Sequence, residues 1–177
     1  MLKKILLTLV AIIAIILIAG AFQAPSYQVT RSATIAAPAA AIFPEVNDFH
    51  RWAAWSPWEK MDPAMKRTFE GPPAGVGASY GWEGNSEVGS GKMTIAESKP
   101  AELIRIKLEF FKPMEGVCPT EFSFRPEGAG TRVTWTMSGT KNYVSKVACM
   151  FMNMDKMVGG DFEKGLASLK QLAEAKK

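Results

Sequence analysis

Met154-Asp-Lys-Met-Val-Gly-Gly-Asp-Phe-Glu-Lys-Gly-Leu-Ala-Ser-Leu-Lys-Gln-Leu172 places apolar side chains at spacings of three and four: Met154, Met157, Val158, Phe162, Leu166, Leu169 and Leu172. That spacing predicts an amphipathic helix with one buried stripe, within a helical tail from about Asn142 to Lys176. Phe162, Leu166 and Leu169 form the stripe, and Lys164 and Lys170 fall outside it. Gly159-Gly160 interrupts the pattern, predicting either a kink or room beneath the helix. A stripe this apolar needs an apolar surface to lie on.

The segments upstream supply one. Leu103 to Phe111 sets Ile104, Ile106, Leu108 and Phe110 against Arg105, Lys107 and Glu109, the period of a strand with one wet face. Thr131 to Ser138 directs Val133, Trp135 and Met137 inward, Glu121 to Arg125 directs Phe122 and Phe124, and Gly91, Met93 and Ile95 share a face. Val76 to Glu83 places Ala78, Tyr80 and Trp82 together, and Tyr27 to Ile35 alternates as a first strand. Gly84-Asn85, Lys99-Pro100 and Gly128-Ala-Gly130 punctuate the series as turns. Between the first strand and the rest, Pro38 opens a short helix that ends near Asn47 and Asp48. Phe49 to Trp58 forms a second turn or short helix, broken at Pro57. The order is strand, two short helices, at least five strands in an antiparallel meander, and one long helix. The class is α+β.

At the other end of the chain, Ile5 to Phe22 gives 18 residues without a charge, preceded by Lys3 and Lys4. At ~1.5 Å per residue they span roughly 27 Å, close to a hydrocarbon core of ~30 Å. Residues 1–22 are expected to be a single-pass membrane anchor, with the two lysines cytoplasmic and the rest outside, periplasmic in a bacterial-type inner membrane. Ala19-Gly20-Ala21 leaves open the alternative of a cleaved signal peptide. Residues 23–26 read as a linker, and 27–177 as the domain.

The 177 residues are 47% apolar and 21% charged, which suits one folded domain. Beyond Phe22 there are 19 Lys and Arg against 17 Asp and Glu, net +2, with no basic run longer than two. A nucleic-acid partner is therefore not expected. One His and two Cys, with no C-x-x-C pair, leave no zinc cluster or Cys/His nucleophile pair. No metal, cofactor or catalytic residue is expected. Cys118 and Cys149 lie where oxidising conditions permit a bridge, but spacing alone does not decide it.

Six strings, in order, carry a family likeness: Arg31-Ser-x-x-Ile-x-Ala-Pro38, Trp52-x-x-Trp55-Ser-Pro-Trp58, Trp82-x-Gly-Asn85, Gly89-Ser-Gly-Lys-Met-Thr-Ile95, Gly130-Thr-x-Val-Thr-Trp135 and Asp161-Phe-Glu-Lys-Gly-Leu166. Together the chain resembles the SRPBCC (START-like, helix-grip) superfamily, in its bacterial polyketide cyclase/dehydrase-like branch with an N-terminal membrane segment. The resemblance implies a curved antiparallel sheet wrapped around the long C-terminal helix, with a cavity between them. It implies no catalytic residues, because the branch shares a fold rather than one chemistry.

The inward Trp82, Met93, Phe110, Phe122, Phe124, Trp135, Met137, Met157, Phe162 and Leu166 are the candidate cavity lining; the same side chains would equally fill a solid core. Trp55 and Trp58 are placed at the cavity mouth, with packing against the sheet edge as the alternative. His50, Asp161 and Glu163 read as surface or ion-paired groups, and Glu83 and Asn85 as polar groups beside Trp82. The expected function is a membrane-tethered module binding a small lipophilic molecule or lipid. The alternatives are a cyclase-, dehydratase- or hydrolase-like enzyme in the same cavity, and a structural or stress-related envelope protein without a ligand. Oligomeric state is not legible.

Overall fold

Seven strands form one antiparallel sheet, a meander in which the first strand pairs with the last. The computed structural model describes residues 1–148, 150 and 153–175. After α1 (Leu2–Ala21) come β1 (Ser26–Ile35), α2 (Ala39–Asn47), a 3-10 helix (Phe49–Ala54) and α3 (Trp58–Met61). The remaining strands are β2 (Lys66–Glu70), β3 (Ser79–Glu83), β4 (Ser90–Lys99), β5 (Leu103–Lys112), β6 (Gly116–Glu127) and β7 (Gly130–Thr140). The chain closes with α4 (Tyr143–Ala148) and α5 (Met154–Glu174). Only the crossover from β1 to β2 leaves the meander, which is why β1 can pair with β7. Register shifts between Ser90 and Gly91 and between Ile95 and Glu97 mark irregularities in the β4–β5 pairing, the kind that bend a sheet.

The alternation read in the sequence appears as a two-faced sheet. Ile104, Ile106, Phe122, Phe124, Val133, Trp135 and Met137 are buried on the inner face. Arg105, Lys107 and Glu121 carry ion pairs on the outer one. α5 lies along the inner face, with Phe162, Leu166 and Leu169 buried and Lys164 exposed. Asn153 caps α5, its side-chain oxygen accepting from the Lys156 amide at 2.9 Å.

The structure departs from the sequence reading in four places. β2 was not expected, because Lys66-Arg-Thr-Phe-Glu70 is an edge strand exposed along most of its length and lacks an apolar face to betray it. The start of β3 moves from Val76 to Ser79, since Gly75 and Gly77 hold φ of 79° and 89° and keep the preceding segment out of the sheet. β6 is longer than Glu121–Arg125, running on to pair Gly116 with Phe110. The helical tail is divided between α4 and α5, and Gly159-Gly160 lies inside α5. Cys149 lies outside the described residues; Cys118 is a buried free thiol, within 3.3 Å of the Tyr27 hydroxyl.

Candidate functional site

The inner face divides into a filled half and a half-open half. In the filled half, Phe122 and Trp135 are register partners with ring centroids 4.6 Å apart, and Phe162 of α5 stacks on Trp135 at 4.0 Å and 8°. Trp52 and Trp55 come down on the same cluster from the 3-10 segment, 4.7 Å from one another. The conformation that brings them there is set by Asp48, whose carboxylate accepts from the His50 amide and opens the 3-10 turn. Their indole N–H groups donate to the Val46 and Glu45 carbonyls at 3.0 and 2.9 Å, so both rings are buried without a polar penalty. Trp55 is 0% exposed. It does not sit at a mouth: the 3-10 turn aims it into the sheet. Trp58, half-buried, stands edge-on to Trp135 and Phe162 at 5.7 and 6.2 Å.

Trp135 sits at the centre of this cluster and differs from its neighbours. Among the described residues its buried indole N–H is the side-chain donor without an acceptor. A buried unmatched N–H costs on the order of 1–3 kcal/mol, so an oxygen acceptor brought to it would be favoured by about that much.

In the other half, towards the ends of β3, β4 and β5, Trp82, Leu108 and Phe110 are only partly buried although they face inward. Trp82 and Phe110 meet edge to face at 5.8 Å, and the Trp82 N–H donates to the Val88 carbonyl at 3.0 Å. Gly91 is what admits the Trp82 ring. A Cβ there would lie 2.3 Å from Trp82 Cη2 and 2.3 Å from the Glu109 carbonyl oxygen. Met93, Cys118 and Met137 floor this half and are buried. Met157 is not with them: at 54% exposed, it lies on the solvent side of the first turn of α5.

Polar groups border the apolar face at two points. Arg31 projects from the inner face of β1, level with Trp135, and passes beneath α5 at Gly159, where a Cβ would lie 2.1 Å from Nη2. Its Nε donates to Glu163 at 2.6 Å, and Nη1 and Nη2 donate to the two Asp155 oxygens at 2.9 and 3.0 Å. The hydrogen bonds from Asp155 and Glu163 raise the arginine pKa further above its usual range, and Arg31 in turn lowers that of Asp155. Sequence reasoning did not assign Arg31 a role. The legible sign was Gly159, which provides room beneath the helix. At the second point, partly buried Glu59 accepts from the Tyr80 hydroxyl at 2.6 Å and from Arg67 Nε at 2.7 Å. Burial, then the neighbouring Glu59, pushes the Tyr80 phenol well above its usual value. Both carboxylate oxygens of Glu59 are thereby occupied, which makes it a brace for β2 and β3.

The remaining polar candidates lie off the inner face. Glu83 is exposed at the end of β3, and the Asn85 side chain accepts from the Glu87 and Val88 amides, shaping the β3–β4 turn. His50 stacks on Phe69 at 4.2 Å with its Nδ1 2.9 Å from Asp48, and Asp161 pairs with Lys164. Among the described residues, no three His, Cys, Asp or Glu side chains are grouped to hold a metal. A groove of about 320 Å³ crosses the outer face over β2 to β4, lined by Lys66, Glu70, Lys92 and Phe111 among others. Polar and apolar groups share its lining in near-equal measure.

Comparisons with known proteins agree with this architecture. No curated protein sequence matches the chain. Among solved structures, protein CV1439 from Chromobacterium violaceum is 16% identical with a TM-score of 0.59, over 85% of this chain and 97% of its own. Ms6760 from Mycobacterium smegmatis is 17% identical with a TM-score of 0.59, over 85% and 92%. A protein from Rhizobium leguminosarum is 14% identical with a TM-score of 0.62, over 85% and 95%. At such identities they show the shared helix-grip fold. Residues 26–174 match the family described as polyketide cyclase/dehydrase and lipid transport, and the chain belongs to that family.

Proposed function

We propose that the domain is a membrane-tethered carrier that holds one lipid-like, largely apolar molecule between the inner face of the sheet and α5. The observation that carries this reading is the partly buried apolar wall of Trp82, Leu108 and Phe110, which faces inward yet is left incompletely covered. Apolar surface on the inside of a fold is normally filled to crystal-like density, and sites for apolar ligands are the exception. The unmatched Trp135 N–H supports a ligand bearing an oxygen acceptor beside its apolar body. The family's description as a lipid-transport family is in keeping with it.

Tethering rests on α1, a 20-residue helix of mean hydropathy 2.7, long and apolar enough to cross a membrane. Lys3 and Lys4 before it favour an orientation with the domain on the outer side. In this reading residues 1–22 anchor, 23–26 link, and 27–177 bind.

The test is a titration of the full chain, in micelles of a short-chain detergent, with an environment-sensitive apolar dye, together with native mass spectrometry of the purified protein. Saturable binding at one site, or a co-purified lipid-sized mass, is expected, with Phe110→Asp weakening binding about tenfold or more at unchanged circular dichroism. A folded protein that takes up no dye and carries no added mass would overturn the proposal.

A further inference from the structure

We propose that the end of the sheet nearest α1 is a bilayer-docking surface, with the β5–β6 hairpin tip and α4 entering the lipid interface so that the half-open apolar wall faces the membrane. This rests on the tethered reading of α1. Outside that helix, the exposed large apolar side chains are concentrated at one end of the domain. Phe111, Met114 and Val117 of the hairpin, Tyr143 and Val144 of α4, and Phe22 are each between 47% and 86% exposed. β1 begins at this end, β7 leaves from it, and the β5–β6 turn closes there, since Ser26 pairs with Thr140 and Phe110 with Gly116. Large apolar side chains gathered at one end of a folded surface mark an interaction site.

The occupant is identified by what the patch adjoins. The Tyr143 hydroxyl donates to the Leu17 carbonyl at 2.6 Å, and the Val147 side chain occupies the space where a Cβ on Gly20 would lie. α4 is therefore clamped to the last turns of the helix proposed to span the bilayer. Only residues 22–25 separate α1 from β1, so the sheet end lies within about 18 Å of the point where α1 ends. At that distance the patch has a bilayer surface beneath it. Tyr at the boundary, and Lys112, Lys141 and Lys146 flanking the apolar residues, are the side chains an anionic lipid interface favours; Glu115 is the one carboxylate within the hairpin tip. Trp82 and Phe110 lie on the inner side of the same end. A lipid would thus reach the apolar wall without crossing water.

The experiment uses the full chain in vesicles of phosphatidylcholine and phosphatidylglycerol, made with and without brominated phosphatidylcholine. Met114→Trp places a reporter at the hairpin tip, and Val76→Trp places one at an exposed position in the β2–β3 connection, towards the opposite end. Flotation of the vesicles reads the anchor separately. The expected result is that bromolipid cuts the added emission of Met114→Trp about twofold or more, while that of Val76→Trp is unchanged and yields to aqueous acrylamide. If Met114→Trp floats with the vesicles but is quenched by acrylamide and not by bromolipid, docking is overturned while the anchor stands. If it is shielded from both quenchers, a protein surface covers the patch and the bilayer is excluded as occupant. If the chain does not float, anchor and docking fail together.

Discussion

Replacing Phe162 by alanine removes the side chain that joins α5 to the sheet. Phe162 is 1% exposed, stacked on Trp135 with centroids 4.0 Å apart, and edge-on to Trp58 at 6.2 Å. Its loss exchanges a fully buried ring for a void bounded by two indoles, neither of which is free to collapse. Trp135 is fixed by its strand, and Trp58 by the short helix that follows Pro57. Phe→Ala changes at such sites cost ~3–5 kcal/mol, of which the lost aromatic pairing accounts for roughly 0.5–1.5 kcal/mol. For a domain of this size each kcal/mol lowers the melting temperature by about 2–4 °C, so a fall of about 6–20 °C is expected. Lys164, two residues on, is 69% exposed and paired with Asp161 at the surface, so Lys164→Ala should stay within ~0.5 kcal/mol. Urea unfolding of the full chain in mild detergent, read by tryptophan fluorescence, measures both. The two variants unfolding at the same midpoint would refute the packing of α5 on the inner face as the source of stability.

Three further outcomes are expected. Gly91→Ala must push a Cβ against the Glu109 carbonyl and the Trp82 ring, and should cost at least ~1–3 kcal/mol in the same assay, whereas Gly160→Ala meets no atom within 4 Å and should stabilise α5 by ~0.5–1 kcal/mol. Asp155 is held below its ordinary 3.8 chiefly by its hydrogen bonds to Arg31, so the folded form binds fewer protons than the unfolded chain. That contribution is present above pH ~4 and lost as pH falls further, so stability should decline below pH ~4, and more shallowly in Arg31→Gln, measured as urea midpoints at a series of pH values. Tyr80→Phe leaves the Glu59 carboxylate with Arg67 alone and should cost ~0.5–1.5 kcal/mol, with no change in dye binding if the Glu59 group is a brace.

The pattern of the chain was sufficient for the two-faced strands and the gripping helix, because both depend on periods that side chains impose locally. Ile104, Ile106, Leu108 and Phe110 had to share a face once that segment was extended, and Phe162, Leu166 and Leu169 had to share one once theirs was helical. The 20-residue apolar helix was equally plain from composition. Tertiary structure decided what period cannot reach. β2 has no buried face, so only its pairing with β3 makes it a strand. Trp55 and Trp58, three residues apart, look alike in sequence, yet a 3-10 turn buries the first completely and the break at Pro57 leaves the second half-buried. Met157 obeys the helical spacing and still lies exposed, because the first turn of α5 meets β1 through Asp155 and leaves Met157 on its solvent side. Arg31 was one charge among many until β1 and Gly159 brought it beneath the helix onto two carboxylates remote in sequence. Periodicity settles which face a residue belongs to; which faces are filled, left open or held by charge depends on contacts between segments a hundred residues apart, and those exist only in the folded chain.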